Sequence, residues 1–305
     1  MRPYSLVNRG RNGSVKLWPW LMAARPRTLS LSVSPVVVGA ALAWAANRQV
    51  HAPAVLAALL ASICIQVGTN MHNDAADSDR GGDGPDRVGP PRVTASGLLA
   101  SDSVKRGAAV CFAIAAAMGL YLVDVGGWPI MLLGVLSILS GWAYTGGSWP
   151  IAYTPLGEAF VVGFFGLGAV GGTFWLCAGG LNGAAAWTGL ALGLMAGAVL
   201  LVNNFRDREA DARVGRRTLA IVAGPRCTAL IYAAMMLAPY PLLLPIARAL
   251  PQHPLWLALI AAAPAFALIR RFVRQPPGQA WNRMLVQTAQ VQGLFSLLLA
   301  IALFM

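Results

Sequence analysis

The sequence predicts an all-α fold, a polytopic bundle of nine transmembrane helices whose N-terminus lies in the cytoplasm. Of the 305 residues, 57% are hydrophobic and only 11% are charged, against about a quarter in an ordinary soluble domain. The mean hydropathy is +0.62. One soluble core cannot cover that much apolar surface, which excludes a soluble globular enzyme, a disordered protein and a disulfide scaffold.

Apolar stretches long enough to span a bilayer recur along the whole chain. In chain order, the predicted spans cover residues 28–46, 53–72, 106–124, 128–144, 157–178, 184–204, 225–248, 254–271 and 285–305. The first follows a long polar tail and exceeds the length of a signal-peptide core, so we interpret it as an uncleaved helix. Four prolines fall inside the spans: Pro35, Pro239, Pro241 and Pro245. Neighbouring helices can satisfy the backbone groups that these prolines leave free.

The basic residues alternate between the loops and thereby predict the orientation. Of the 23 Lys and Arg residues, 21 lie before the first span or in the loops after spans two, six and eight. The positive-inside rule places these segments in the cytoplasm. It also explains the net charge of +12 without a nucleic-acid partner. We expect residues 1–20 to form a flexible cytoplasmic tail and residues 21–305 to form a single intramembrane domain.

Nine of the eleven acidic residues lie in two cytoplasmic loops, after spans two and six. A polar residue precedes an aspartate by four positions in several pairs: Asn70 and Asp74, Asn73 and Asp77, Asn203 and Asp207, and Asp207 and Asp211. If the helices continue past the membrane edge, residues four apart share one helix face. We expect the two faces to meet at the cytoplasmic mouth of the bundle.

The chemistry of these loops points to a bound diphosphate. Clustered carboxylates repel one another unless a cation joins them, and oxygen-only ligands favour Mg²⁺ when a phosphate shares the coordination. Arginines stand beside the acids: Arg87, Arg92, Arg206, Arg216 and Arg217. Guanidinium groups bind phosphate oxygens in a bidentate way. A diphosphate site next to a large apolar cavity indicates a prenyl diphosphate, whereas solvated, mutually paired loop charges are the alternative for either cluster alone.

Four stretches of the chain carry a resemblance to a known family. They are Ala24–Leu29, Asn73–Arg92, Ala143–Gly147 with Leu156–Glu158 and Phe164–Gly166, and Asn203–Ala220. The chain resembles the UbiA superfamily of intramembrane aromatic prenyltransferases, nine-helix enzymes with aspartate-rich motifs after helices two and six. The resemblance covers nearly the whole chain. Within the superfamily, the chain is most similar to the branch that prenylates 1,4-dihydroxy-2-naphthoate in menaquinone synthesis.

The first motif departs from the general superfamily pattern. That pattern, NxxxDxxxD, would place an acid at Gly81, but the next acid beyond it is Asp83. The naphthoate branch is similar in shifting this acid. Whether Asp79 or Asp83 completes the first motif stays open, and the prenyl chain length is not determined.

The paired motifs and the resemblance together imply the roles of individual residues. Two Mg²⁺ ions are expected to bind Asn73, Asp77, Asp83, Asp207 and Asp211. The donor diphosphate is expected to contact Asn70, Asp74, Arg87, Arg92, Asn203, Arg206 and Arg217. Catalysis is assigned to Asp77, Asp207, Asp211 and Tyr144, the last as an aromatic face for a cation-like carbon. Arg25 is the candidate for the acceptor's carboxylate, with membrane anchoring as the alternative.

The resemblance implies a multi-pass enzyme of the cytoplasmic (inner) membrane with its active site facing the cytoplasm. The expected reaction is Mg²⁺-dependent transfer of a polyprenyl group from a prenyl diphosphate to 1,4-dihydroxy-2-naphthoate, with release of diphosphate and CO2. One alternative is a related enzyme that acts on another aromatic acceptor, such as 4-hydroxybenzoate. A polytopic secondary transporter is the alternative from another class, but its charges would lie near the bilayer midplane rather than at one rim.

Overall fold

A computed structural model describes residues 17–81, 88–276 and 278–305, and these residues form helices and no strand. The predicted all-α class is therefore confirmed. Most of the predicted tail, residues 1–20, lies outside the described residues. Leu17 to Trp20, its last four residues, belong to the first helix.

Twelve α-helices follow one another along the described chain. They are α1 (Leu17–Ala24), α2 (Ser30–Asn47), α3 (Ala52–Asp79), α4 (Ser101–Gly126), α5 (Trp128–Ala143), α6 (Gly157–Val161), α7 (Ala169–Ala178), α8 (Gly183–Arg213), α9 (Leu219–Leu237), α10 (Leu243–Ala249), α11 (Ala262–Arg274) and α12 (Ala280–Phe304). A π-helical segment, Val162–Gly168, joins α6 to α7, and a 3-10 segment, Leu255–Ala261, leads into α11.

Eight helical segments of the described chain are long and apolar enough to cross a membrane. They correspond to eight of the nine predicted spans. The remaining one, 128–144, is the 16-residue helix α5, which at 1.5 Å per residue is only about 24 Å long. The chain is thus a multi-pass membrane protein, while the count of nine spans and the cytoplasmic N-terminus stay predictions.

The seventh predicted span, 225–248, differs in the structure because proline ends helices. Helix α9 starts earlier, at Leu219, and changes direction at Gly224, whose φ is 72°. It stops at Leu237, since Pro239 and Pro241 lack the backbone N–H that a helix interior needs. Residues 238–242 form turns before α10 begins.

Helices α3 and α8 run well past their predicted spans, which ended at residues 72 and 204. They contain 28 and 31 residues and so measure about 42 Å and 46 Å, against a hydrocarbon core of about 30 Å. Asn70, Asn73, Asp74 and Asp77 therefore lie on the continuous helix α3, and Asn203, Asp207 and Asp211 lie on the continuous helix α8. This continuity gives residues four apart the shared face that the spacing requires.

Small residues bring the π segment and α8 into close contact. A Cβ on Gly193 would lie 2.7 Å from the carbonyl oxygen of Val162 and 3.1 Å from the Cα of Gly166. No larger side chain fits there without a shift of backbone. The contact sets α6 beside the C-terminal half of α8, where the second motif begins.

Candidate functional site

A polar cavity lies between the C-terminal ends of α3 and α8. It is lined by Arg25, Asn73, Asp77, Arg92, Tyr144, Ala152, Asn203, Asn204, Asp207, Asp211 and Arg216. Eight of these are residues that the sequence analysis assigned to one site: Arg25, Asn73, Asp77, Arg92, Tyr144, Asn203, Asp207 and Asp211. The fold brings them together although they come from five separate segments of the chain.

Asp77 is the most enclosed acid of the cavity, with 2% of its side chain exposed. Its Oδ2 accepts a hydrogen bond from Arg92 at 2.7 Å, and its Oδ1 accepts one from Arg216. The same Arg92 nitrogen donates to Asn73 Oδ1 at 3.2 Å. The buried carboxylate is thus compensated by two guanidinium groups, as burial of a charge requires.

Arg216 connects the two motifs. Besides Asp77 of α3, its guanidinium contacts Asp211 Oδ1 of α8 at 3.2 Å and stacks over the Tyr153 ring at 4.9 Å. Burial lowers the pKa of this guanidinium, but the carboxylates of Asp77 and Asp211 raise it further, so the net pKa lies above its usual value. Arg216 therefore stays charged at the centre of the site.

The sequence analysis named both Arg216 and Arg217 as arginines suited to phosphate, but it assigned a diphosphate contact to Arg217 only. Gly215, with φ of 79°, ends α8 and reverses the chain. After this turn Arg216 enters the cavity, whereas the side chain of Arg217 is exposed and its backbone N–H donates to the carbonyl of Tyr153 at 3.1 Å. The local pattern of two consecutive arginines contains no signal that distinguishes them, because the turn geometry decides which one points inward.

The negative charge of Asp207 in the second motif is balanced by Arg206, the residue that precedes it in the sequence. Arg206 donates to Asp207 at 2.8 Å and 2.5 Å, and to Asn203 Oδ1 at 2.9 Å. Its side chain is 2% exposed and is not part of the cavity lining. Arg206 was predicted to contact diphosphate, but the structure places it behind Asp207 and Asn203, which do line the cavity.

Asn70 and Asp74 share a different face of α3. The amide of Asn70 donates to the carbonyl of Ala24 at 3.1 Å, and Asp74 accepts from the backbone N–H groups of Val93 and Thr94 at 3.2 Å and 3.0 Å. At about 100° per residue this pair lies roughly 60° round the helix from Asn73 and Asp77, and neither Asn70 nor Asp74 is among the residues that line the cavity. The two predicted diphosphate ligands instead hold the segments that contain Arg25 and Arg92.

Asn204 and Glu158 form a polar pair that the sequence analysis did not assign to the site. The amide of Asn204, which lines the cavity, donates to Glu158 Oε1 at 2.8 Å. Because a carboxylate is an acceptor, this bond orients the amide with its nitrogen toward Glu158, and the amide oxygen remains an acceptor. Glu158 itself is buried at the start of α6.

Asp79 and Asp83 are the two candidates for the third acid of the first motif. Asp83 and Arg87 lie outside the described residues. Asp79, the alternative third acid, ends α3 and pairs with Lys105 at 2.5 Å. It is partly exposed and is not among the residues that line the cavity. Asp79 therefore does not join the acids that line the cavity.

The donors in the cavity fit a hard divalent ion that shares its coordination with phosphate. Among the described residues, no three acidic, histidine or cysteine side chains form a group able to hold a metal by themselves. The cavity offers carboxylate and amide oxygens from both helix ends. Mg²⁺ is commonly bound by one or two carboxylates, water and substrate phosphate rather than by a complete protein cage, so this donor set suits it.

Comparison with known proteins supports the family resemblance. Residues 32–300 match the family model described as the UbiA prenyltransferase family. The chain is 33% identical over 294 residues to the 1,4-dihydroxy-2-naphthoate octaprenyltransferase of Escherichia coli (strain K12), covering 94% of this chain and 95% of that protein. It is 38% identical over 225 residues to the enzyme of the same name from Mycobacterium tuberculosis (strain ATCC 25618 / H37Rv), covering 71% and 74% of the two chains.

Solved structures share the fold at low sequence identity. A UbiA homolog from Archaeoglobus fulgidus bound to GPP and Mg²⁺ has a TM-score of 0.63 at 13% identity, over 94% of this chain and 99% of that chain. The apo structure of a UbiA homolog from Aeropyrum pernix K1 has a TM-score of 0.66 at 15% identity, over 90% and 96%. These similarities show a common helical architecture.

Proposed function

Because the chain belongs to the UbiA prenyltransferase family, we propose that it transfers a polyprenyl group from a prenyl diphosphate to 1,4-dihydroxy-2-naphthoate. The products are demethylmenaquinol, diphosphate and CO2, a step of menaquinone biosynthesis. One observation carries the proposal: Asp77 and Asp211, from two different helix ends, share the guanidinium of Arg216 at a single cavity. The relatives named for this reaction support the choice of acceptor.

The acids of the two motifs are the proposed metal ligands. Asn73, Asp77, Asp83, Asp207 and Asp211 would hold Mg²⁺, with two ions proposed. Bound Mg²⁺ supplies positive charge that stabilises the leaving diphosphate. Asp77 is ion-paired with Arg92 and Arg216, so a metal would compete with these guanidinium groups for the same oxygens. Arg92 and Arg216, which both line the cavity, would then be available to bind phosphate oxygens.

The arginines of the site are proposed to contact the diphosphate either directly or through other residues. We propose that Arg92 and Arg216 contact the diphosphate directly, since both line the cavity and guanidinium forks match phosphate oxygens. Arg206 would act through Asp207 and Asn203. The phosphate role of Arg87 rests on its place in the first motif, and that of Arg217 on its place after the second.

Charge stabilisation at the diphosphate drives the proposed reaction. The allylic C–O bond breaks and its electron pair stays on the diphosphate oxygen, which the surrounding positive charge favours. The electron-rich ring carbon then attacks the allylic carbon, and the ring loses its carboxylate as CO2. Water must be excluded while the cation-like carbon exists, and a cavity enclosed by membrane helices provides that exclusion.

Two cavity residues suit the acceptor and the developing cation. Arg25 is proposed to bind the acceptor's carboxylate, and its backbone is held in a left-handed conformation with φ of 56°. Tyr144 follows the end of α5 directly and offers an aromatic face. Both line the cavity that also contains Asp77 and Asp207, so donor and acceptor would meet there.

The membrane placement extends the same proposal. We place the enzyme in the cytoplasmic (inner) membrane with the site and N-terminus facing the cytoplasm, as the basic loops favour. Residues 21–305 would form one domain, which the family match over residues 32–300 supports. Membership of an enzyme family removes the reason to consider a secondary transporter.

Product formation in membranes or detergent tests the proposal. Purified enzyme would receive Mg²⁺ and a prenyl diphosphate with either 1,4-dihydroxy-2-naphthoate or 4-hydroxybenzoate in parallel. We expect prenylated naphthoquinol and CO2, and loss of both when EDTA removes the metal. Product from 4-hydroxybenzoate alone would preserve the site chemistry and overturn the acceptor. Turnover unaffected by EDTA would overturn the metal dependence.

A further inference from the structure

Asn282 forms hydrogen bonds with two segments that are far apart in the sequence. It lies in the first turn of α12, where its Oδ1 accepts from Arg206 at 2.8 Å. Its Nδ2 donates to the carbonyl oxygen of Val88 at 2.9 Å. The side chain therefore uses both ends of its amide, one toward the second motif and one toward the segment that follows the first.

The Arg206 bond reaches the α8 side of the cavity. Arg206 also binds Asp207 and Asn203, and both of these line the cavity. A guanidinium that donates in three directions has little freedom to rotate, so Asn282 restricts the position of Arg206. Through Arg206 it restricts the orientation of the Asp207 carboxylate.

The Val88 bond reaches the segment that contains Arg92, a residue that lines the cavity. Val88 stands four residues before Arg92, whose guanidinium binds Asp77 and Asn73. On the other side of Arg92, the backbone of Val93 and Thr94 is held by Asp74. Asn282 and Asp74 thus fix the short segment containing Arg92 from its two ends.

The neighbouring residue holds Asn282 firmly in place. Trp281 is buried, its indole nitrogen donates to the carbonyl of Pro276 at 3.0 Å, and its ring packs against Phe205 and Phe272 with centroid distances of 5.0 Å and 4.9 Å. Aromatic packing of this kind stabilises one side-chain arrangement. The base of α12 is therefore a rigid support for the amide of Asn282.

We propose that Asn282 is a positioning residue. It holds Arg206 and the segment that contains Arg92 at the separation that a bound diphosphate requires. This inference rests on the proposed function, because it assumes that the site containing Arg92 and Arg206 binds the prenyl diphosphate. Positioning groups before the ligand arrives reduces the ordering cost of binding. A side-chain amide suits this place because it supplies an acceptor for a guanidinium and a donor for a backbone carbonyl.

Two substitutions separate the two bonds. Asn282→Leu has a similar volume and removes both. Asn282→Asp keeps an acceptor for Arg206 but removes the donor to Val88. Gln287→Leu is the matched control, because Gln287 lies on the same helix and accepts from Arg271 at 2.9 Å outside the cavity lining.

Steady-state kinetics with each substrate varied in turn gives the first readout. For Asn282→Leu we expect the KM for prenyl diphosphate to rise about tenfold, since it removes two hydrogen bonds, one of them charge-assisted. The KM for the aromatic acceptor should stay within about twofold. Asn282→Asp should have an intermediate effect, and Gln287→Leu should resemble the wild type. Equal changes in both KM values, or an unchanged donor KM in Asn282→Leu, would overturn the positioning role of Asn282.

A binding readout without turnover separates this inference from the proposed reaction. Thermal stabilisation of the full-length protein by Mg²⁺ with inorganic diphosphate would be titrated in each variant. We expect the half-saturating diphosphate concentration to rise about tenfold in Asn282→Leu, even if the acceptor assignment fails. If Asn282→Leu does not fold, Asn282→Asp decides, and an unshifted titration in that variant would contradict the inference.

Discussion

The aspartates at the two helix ends of the site obtain their positively charged partners in different ways. At the end of α8, Asp207 is paired with Arg206, its immediate neighbour. At the end of α3, Asp77 takes its partners from Arg92 and Arg216, which lie 15 and 139 residues away in the sequence. The ion pair of Asp207 therefore forms within α8 itself, whereas the ion pairs of Asp77 form only when remote segments are in place.

This difference affects how strongly substitutions at each helix end should disturb the site. A local pair survives small shifts between helices, because both members move together. The Asp77 cluster depends on the relative position of three segments, and removing the carboxylate leaves two buried guanidinium groups without it. Loss of that carboxylate removes an ion-pair partner from both buried guanidinium groups, which is costly, so we expect substitutions at the α3 end to have the larger effects.

Asp77→Ala should have the largest effect of the substitutions considered. Loss of a proposed metal ligand together with the anchor of Arg92 and Arg216 is expected to lower kcat by about 1000-fold or more, as removal of a key electrostatic group does. Turnover at saturating Mg²⁺ measures this loss. Asp79→Ala is the matched control, since Asp79 ends the same helix but pairs with Lys105. Activity near that of the wild type in Asp77→Ala would remove Asp77 from the site.

Arg216→Gln and Arg217→Gln test the importance of the contact between the two helix ends, because only Arg216 forms ion pairs with both. We expect kcat/KM for the prenyl diphosphate to fall about 100-fold in Arg216→Gln, from loss of a charged contact to phosphate. The fall in Arg217→Gln should be about threefold or less. Initial rates at low donor concentration measure both. A larger effect from Arg217 would show that the exposed arginine turns inward when the donor binds.

Arg25→Gln should act on the acceptor rather than the donor. Loss of a charged hydrogen bond to the carboxylate is expected to raise the acceptor KM about tenfold and leave the donor KM unchanged. Arg27, two residues on and exposed, supplies the control variant Arg27→Gln. A matched rise in both KM values would indicate that Arg25 organises the cavity instead of binding the acceptor.

Asp74→Ala should have the smallest catalytic effect and a clear effect on stability. Its two backbone partners, the N–H groups of Val93 and Thr94, would lose their acceptor at a cost of about 1–3 kcal/mol. Activity should fall only about threefold, through looser placement of Arg92. Thermal unfolding in detergent, with exposed Asp124→Ala alongside, measures the stability change. Complete inactivity in a protein of unchanged stability would restore the predicted diphosphate role of Asp74.

Much of the site could be predicted because helical spacing links sequence to position. Asn73 with Asp77, and Asn203 with Asp207 and Asp211, share helix faces by their separation alone, and the structure places all five at one cavity. Asn70 and Asp74 share a face equally well. Which of the two faces on α3 points to the cavity depends on the rotation of that helix against its neighbours, which spacing does not encode.

The sequence by itself determined the class of the molecule. Apolar spans, alternating basic loops and two polar helix ends are local or compositional features, and they predicted a membrane-embedded, all-α protein with a diphosphate site. The tertiary structure decided which arginines serve that site. Arg216 enters the cavity while Arg217 does not, and Asn282 reaches Val88 and Arg206. These contacts follow from a turn after α8 and from helix packing, where distances between remote segments, rather than neighbours in the chain, determine the partners.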